Sequence, residues 1–267
     1  MTASNVNLFM HKTMYDSLTD AGFKEKIVPY QDEQNAAANV QLIISIGGDG
    51  TFLNAAKFAV RASAPIIGLN TGRLGFLARI SRIELEAVLN NLLSGNYDIE
   101  KRALIELDSE PQLFGNQNFA LNEFTVHKND SSSMITVKTK LDGEFLNSYW
   151  ADGLIISTPT GSTAYSMSCG GPIVMPGSNN FIITPVAPHN LNVRPLVVPD
   201  QSEIELTVEG RGKNCIVSLD SYIQTHDLQT VFKLRRHKKH LKFIVLPGHS
   251  HLKTLRNKLN WGLDQRN

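Results

Sequence analysis

The first clear pattern is a continuous apolar run, Val40 to Ile46, which breaks abruptly into Gly47-Gly48-Asp49-Gly50. A short isoleucine-rich run of this kind predicts a buried strand that ends in a tight turn. After the turn the spacing becomes helical, with Phe52, Leu53, Ala56, Ala59 and Val60 on one face. Pro65 to Leu69 predicts the next buried strand. Ser81-Arg82-Ile83-Glu84 predicts a helix start, because serine oxygen and glutamate carboxylate each satisfy a free amide. Leu85, Val88, Leu89, Leu92 and Leu93 then make one apolar stripe, and Gly95 stands where a C-terminal cap belongs. Strand and helix alternate up to about residue 99, which implies an α/β unit with a mainly parallel sheet.

From about Glu100 the period shortens to two. Ile135 to Leu141 alternates, Asp142-Gly143 supplies a turn, and Glu144 to Tyr149 alternates back, the strongest local signal for a hairpin. Glu203 to Val208 and Cys215 to Leu219 predict a second such pair around Gly210 to Asn214. The basic run Lys233 to Lys242 reads as a solvated edge strand whose lysines deter edge-to-edge pairing. Leu252, Leu255 and Leu259 suggest a last amphipathic helix. The predicted fold class is α/β plus all-β. Residues 1–99 form an α/β domain and 100–247 a layered antiparallel β domain, packed intimately with no clear linker.

Composition narrows the function classes. The 267 residues, 42% hydrophobic, are enough for one large or two modest cores. A net charge of +1 gives no global pull toward nucleic acid or an anionic membrane, and a small neutral-to-acidic ligand is the better default. The two cysteines, Cys169 and Cys215, stand in no paired motif, which fits a reducing compartment. No segment approaches the roughly 20 apolar residues of a membrane span. The expectation is a soluble cytoplasmic protein with no membrane or nucleic-acid partner. The eight histidines show no ligand spacing, so no structural metal is assigned, and His189 is read as structural within its turn.

Three segments carry chemistry. Ile43 to Thr51 leads a strand through three glycines into a helix, bringing backbone N–H groups close to anything above the turn. A Walker loop and a dinucleotide fingerprint are both excluded, since no Gly-Lys-Ser/Thr follows and position 53 is Leu53. The loop instead holds a carboxylate, Asp49, which is unfavourable beside phosphates unless it binds a metal or takes a proton. That moves the reading from phosphate binding to phosphoryl transfer; the bland alternative is a solvated Gly-Asp-Gly turn. The second segment, Asp152 to Pro172, carries hydroxyls at Ser157, Thr158, Thr160, Ser162, Thr163, Ser166 and Ser168. These are expected to hydrogen-bond a ribose or pyrophosphate, with Tyr165 offering a flat face to a base. The third, Asn122-Glu123, is a pair able to grip two hydroxyls of one ribose, though taken alone it is a weak signal that a capped strand end explains better.

Taken together, GGDGT at 47–51, NE at 122–123, DGLIISTPTGSTAYSMSCGGP at 152–172 and TPVAPHNLNVRPLVVP at 184–199 resemble the NAD kinase family, four motifs in the family's order. The resemblance implies an active site between the two domains, with the tail, about 248–267, packing back on the first. It implies transfer of the γ-phosphoryl of ATP to the 2′-hydroxyl of the adenosine ribose of NAD, with Mg²⁺ or another divalent cation accompanying ATP. Polyphosphate as donor stays open. Asp49 would be the catalytic base and Gly50 part of the phosphate turn. Asn122 and Glu123 would hold ribose and base groups of NAD; Thr163, Ala164, Tyr165 and Ser168 would line the dinucleotide pocket, with Asp152 beside them. Phe76, in the turn 72–76, would wall the adenosine side. The assembly would be a homodimer or homotetramer, with the segment around Ala187 reaching a neighbouring subunit's NAD site. Two positions depart from the family pattern. Tyr222 stands where a glutamine is common, which puts that NAD contact in doubt, and Trp150 replaces a basic residue.

Rival readings are a lipid or diacylglycerol-type kinase, a phosphofructokinase-like sugar kinase, and a non-catalytic NAD or nucleotide sensor. The lipid kinase would show a greasy pocket or membrane-docking surface, and a sensor gains nothing from Asp49.

Overall fold

The computed structural model describes residues 6–22, 27–31, 40–72, 75–129 and 133–262. It begins with β1 (Phe9–His11), α1 (Lys12–Asp20) and β2 (Val28–Tyr30), the two strands pairing in parallel. Next come β3 (Ile43–Ile46), α2 (Asp49–Ala62), β4 (Ile66–Leu69), α3 (Leu85–Ser94) and β5 (Asp98–Arg102). The β-rich part runs β6 (Ile105–Ser109), β7 (Phe119–Ala120), β8 (Glu123–Lys128), β9 (Ile135–Leu141), β10 (Glu144–Ala151) and β11 (Gly153–Ser157). After α4 (Tyr165–Ser168) follow β12 (Asn180–Val186), β13 (Leu196–Pro199), β14 (Ile204–Glu209), β15 (Asn214–Leu219) and β16 (Tyr222–Asp227). The last elements are β17 (Phe232–Arg236), β18 (Leu241–Val245) and α5 (His251–Leu259).

The α/β sheet has the order β3-β4-β18-β5, parallel except at the β18–β5 edge. It therefore draws in residues 98–102 and 241–245, although the sequence reading placed 100–247 in the second domain. Pairing explains the difference: the chain leaves the β sandwich beside β4, and β18 there satisfies ladders on β4 and β5 that would otherwise face solvent. Two antiparallel six-stranded sheets, β10-β9-β14-β17-β6-β7 and β13-β12-β11-β8-β15-β16, make the second unit. Their inner faces meet through fully buried residues such as Val137, Leu206 and Phe232 on one side and Phe124, Leu154 and Ile183 on the other.

Helix α2 joins the two units. Its buried stripe, Phe52, Ala56, Ala59 and Val60, shares one apolar cluster with Ile66 and Phe243 of the α/β sheet and with Leu104, Phe119 and Leu121 beyond it. Helix α3 lies on the other face, where Val88 packs with Ile67, Ile80 and Ile244. The expected capping box is present, with Ser81 N and Oγ both donating to Glu84, although it opens a single 3₁₀ turn (Arg82–Glu84) before α3 begins. Gly95 caps that helix in the left-handed conformation. The stripe is narrower than its spacing suggested: only Val88 is fully buried, while Leu85 and Leu93 are exposed.

The β9–β10 hairpin forms as its sequence predicts, with positive φ at Asp142 and Gly143. The second expected hairpin does not form. β14 pairs with β9 and β17 in one sheet, β15 with β8 and β16 in the other, and residues 210–213 cross between layers. Both strands bury one face in the shared core, so alternation alone could not tell neighbours in one sheet from partners across the sandwich. Nor is the basic run an edge. β17 lies between β14 and β6, and β18 between β4 and β5, with Lys233 and Arg235 on the solvent side. Phe232 and Leu234 on the opposite face are fully buried, so the charge marks a wet face of an interior strand.

Candidate active site

Strand β3 delivers the chain into α2, and Asp49 is the first helical residue. In an α-helix the first N–H groups have no intrahelical acceptor, so the turn presents amides and positive dipole to an anion. A Cβ on Gly48 or Gly50 would meet nothing within 4 Å, which leaves this backbone open to a ligand. Asp49 does not simply point into that space. Its Oδ2 accepts the Phe76 amide at 2.8 Å, and its Oδ1 accepts those of Leu77 (3.1 Å) and Ala78 (2.9 Å). Gly75 makes this possible, since a Cβ there would lie 1.9 Å from Oδ1. Arg79 locks the far side of the turn through Nε to the Phe76 carbonyl at 2.8 Å. The half-buried Phe76 ring carries Lys258 of α5 at 5.7 Å, and His251 Nδ1 lies 3.1 Å from Arg79, so α5 lies against the turn that holds Asp49. Residues 73–74 of the turn 72–76 lie outside the described residues.

A second group gathers on β8 and β11. Glu123 stands opposite Ser157 and His127 opposite Gly153, so Glu123 and His127 share one face of β8. The 158–171 segment folds back over that face. The Tyr165 amide hydrogen-bonds the Glu123 carboxyl, and the Tyr165 ring stacks on His127 at 5.6 Å and 22°. Asp152 pairs with Lys128 at 2.7 Å and acts on His127, whose pKa is lowered by burial and partly restored by Asp152. Ala187, exposed and at φ 45°, follows Val186, whose carbonyl accepts the Asp152 amide, so it sits at the same sheet end. Glu123 is 8% exposed, and its Oε2 has no hydrogen-bond partner. Burial, reinforced by the nearby Asp220 charge, raises its pKa to about 8. It therefore presents a neutral carboxylic acid below that pH, able to donate a hydrogen bond as well as accept one.

The hydroxyl loop departs from expectation. Thr158 Oγ1 donates to the Leu121 carbonyl at 2.5 Å, Ser162 Oγ to Pro159 O at 2.7 Å, and Thr163 Oγ1 to Thr160 O at 3.2 Å. Ser166 Oγ pairs with Thr184 Oγ1 at 2.8 Å. These side chains are buried and hold the loop's own shape rather than lining a concavity. A hydroxyl in a short loop finds a backbone carbonyl three residues away more readily than a distant ligand. Tyr165 and Ser168 remain exposed and Ala164 is half-buried. The loop's close seat on Asn122 needs Gly161, where a Cβ would come within 2.1 Å of the Asn122 carbonyl oxygen. The Asn122 carbonyl also accepts the Thr158 amide at 2.8 Å.

Two residues that sequence reasoning missed organise this group. Asp220, in the left-handed region at the β15–β16 turn, accepts the amides of Leu121 (2.9 Å), Asn122 (2.8 Å) and Glu123 (3.2 Å). Burial raises its pKa, opposed by those three amides and by the charge of Lys57. Lys57 itself, on α2, is 3% exposed, and burial lowers its pKa to about 8. Its Nζ lies 3.3 Å from the Gln117 carbonyl and 3.8 Å from the centre of the Tyr222 ring. Tyr222, doubtful as a ligand contact, is thus a cation–π partner. A charged residue alone in Ala55-Ala56-Lys57-Phe58-Ala59 was the legible signal for Lys57; Asp220 offered none beyond its place in a turn. The Trp150 and His189 rings meet at a tilt of 54° with centroids 5.2 Å apart, and the Trp150 carbonyl accepts the His189 amide at 3.0 Å. Among the described residues no three His, Cys, Asp or Glu side chains converge as a metal cage, and no helix is long and apolar enough to cross a membrane.

The ATP-NAD kinase N-terminal domain model matches residues 4–97 and the ATP-NAD kinase C-terminal domain model residues 121–246. The NAD kinase of Cytophaga hutchinsonii is 54% identical over 226 residues, 85% of this chain and 77% of that protein. The NAD kinase of Flavobacterium johnsoniae is 46% identical over 99% of this chain and 91% of that protein. The structure of yeast NADH kinase complexed with NADH superposes with a TM-score of 0.86 at 24% identity, covering 96% of this chain and 79% of that one. That of an NAD kinase from Archaeoglobus fulgidus in complex with ATP gives 0.72 at 27% identity, covering 93% and 92%.

Proposed function

The chain belongs to the NAD kinase family, and on that footing we propose how its residues move the γ-phosphoryl of ATP to the 2′-hydroxyl of the adenosine ribose of NAD. The observation that carries the reading is the Asp49 carboxylate at the start of α2. Oδ1 is filled by two amides, whereas Oδ2 takes one among the described residues and keeps a lone pair. That lone pair is the acceptor for the ribose proton. The 2′ oxygen attacks the γ-phosphorus, the bond from γ-phosphorus to the β–γ bridging oxygen breaks, ADP leaves, and the proton rests on Asp49. Positioning and charge neutralisation dominate such transfers. The amides at the start of α2, with Gly50, cradle phosphate. Mg²⁺ entering with ATP would be held chiefly by the phosphates above the 47–50 turn and would supply charge neutralisation there; among the described residues no three His, Cys, Asp or Glu side chains offer it a cage.

On the other side, Asn122 and Glu123 hold ribose and base groups, Ala164, Tyr165 and Ser168 line the dinucleotide pocket beside Asp152, and buried Thr163 shapes it from behind. Phe76 walls the adenosine side. Ala187, exposed at its sheet end, suits a contact with a neighbouring subunit's site in a homodimer or homotetramer, and a cytoplasmic location supplies NAD and ATP. The lipid-kinase and sugar-kinase readings leave the second matched domain unexplained, and the sensor reading leaves Asp49 without a purpose. Incubating the purified protein with NAD, Mg²⁺ and either ATP or polyphosphate, and reading NADP with an NADP-specific dehydrogenase, tests the proposal. NADP formation supports it; NAD binding without turnover with either donor refutes it.

A further inference from the structure

Asp220 and Lys57 touch none of the reacting groups, yet each is a charge drawn into the protein where only a specific partner justifies it. Asp220 is fixed from β15 and β16, and what it fixes is the backbone of Leu121, Asn122 and Glu123. Lys57 comes from the other domain. It lies eight residues after Asp49 on the same helix, about 12 Å along the axis at 1.5 Å per residue. Its Nζ meets the Gln117 carbonyl and the Tyr222 face, and its charge supports Asp220. The helix that begins at the base thus ends its polar reach on the turn that holds Asn122 and Glu123.

We propose that Asp220 and Lys57 form a positioning pair, in which Asp220 shapes the Asn122–Glu123 turn and Lys57 ties that turn to the Asp49 helix, so that the NAD grip and the proton acceptor keep a set separation. The proposal rests on the reading of Asn122–Glu123 as the NAD grip. Gly161 and the Thr158 hydroxyl press on the same turn from the other side, so a small release at Asp220 passes directly to the Asn122 side chain. Tyr222 has its place in this device: its ring receives a cation that would otherwise face apolar Phe119 at 5.8 Å.

The test compares wild type, Asp220→Asn, Lys57→Met, Lys57→Arg and the Asp220→Asn/Lys57→Met double variant of the full chain, with Asn122→Ala as reference. KM for NAD, KM for ATP, kcat and the thermal midpoint are measured for each. NADP formation by the wild-type chain, and a KM for NAD raised by Asn122→Ala, secure the underlying reading; an unchanged KM in that variant overturns the grip and the pair with it. With that secured, Asp220→Asn and Lys57→Met are each expected to raise KM for NAD about ten-fold, with KM for ATP within about two-fold. Lys57→Arg keeps the charge and gives back most of the loss. The double variant matches the worse single one instead of multiplying the two effects. Unchanged KM for NAD in folded single variants overturns the pair alone, as do independent multiplication or a parallel rise of both KM values with a falling thermal midpoint. If Asp220→Asn does not fold, the contrast between Lys57→Met and Lys57→Arg in KM for NAD decides the matter.

Discussion

Asp49 and Asp220 are the same local device built twice. Each carboxylate accepts three successive backbone amides, two on one oxygen and one on the other, at 2.8–3.1 Å for Asp49 and 2.8–3.2 Å for Asp220. Each stands beside a tight turn and is only half-buried as a residue. They part in what surrounds them. Asp220 has a buried lysine behind it and a second carboxyl beside it, so its charge is absorbed internally and its neighbour Glu123 carries a proton up to about pH 8. Asp49 instead opens onto a helix N-terminus flanked by glycines with empty space above them. An identical amide nest is a structural anchor in one place and, in the proposed mechanism, holds the proton acceptor in the other. The neighbours, not the motif, assign the role.

Asp49→Asn is the sharpest way to break the comparison. It keeps the shape but removes the proton acceptor, so kcat should fall at least about 10²-fold with KM for NAD within a few-fold, read in the coupled NADP assay. Near-normal turnover would remove Asp49 from the chemistry. Gly75→Ala attacks the nest itself, because the new Cβ would sit 1.9 Å from Oδ1. The carboxylate must swing out or the 76–78 turn must yield, and a loss of roughly ten- to hundred-fold in kcat is expected. A variant with full kcat would show that the amide bonds are dispensable. Gly161→Ala presses a Cβ to 2.1 Å from the Asn122 carbonyl, so KM for NAD should rise roughly ten-fold while KM for ATP holds. Equal changes in the two constants would contradict a role confined to the NAD side.

The smallest effect concerns protons. Glu123 moves from an ordinary 4.5 to about 8 on folding, so the folded state binds the proton more tightly. The resulting stability is complete below pH 4.5 and is lost as pH rises toward 8. Glu123→Gln does not titrate, so its thermal midpoint relative to wild type should climb between about pH 5 and 8 and level off above, by several degrees in all. Parallel curves from pH 5 to 9 would mean that Glu123 is already ionised in the folded chain.

Much of this protein was written in local patterns. The strand into Gly47-Gly48-Asp49-Gly50, the helix behind it, the Asp142-Gly143 hairpin and the Ser81–Glu84 box all depend on neighbours within about four residues, and each formed. Asp49 stood out as a candidate because a carboxylate in a glycine turn suited to phosphate is an electrostatic anomaly. Sheet membership was not. β14 and β15 alternate alike, but which layer each joins depends on partners far along the chain, and β5 joins the first sheet by pairing with β18, about 140 positions later in the sequence. The hydroxyls of 157–168 identified a special loop, but whether an oxygen faces a ligand or its own backbone is settled by where the chain folds over β8. Asp220 and Lys57 lie 163 positions apart by number, and no period or motif connects them. Sequence alone determined many of the local elements, the family motifs and the place of the carboxylate proposed as base, because those follow from short-range sterics and hydrogen bonding. Only the tertiary structure decided which buried charge faces which, because the energy of a charge depends on everything packed around it.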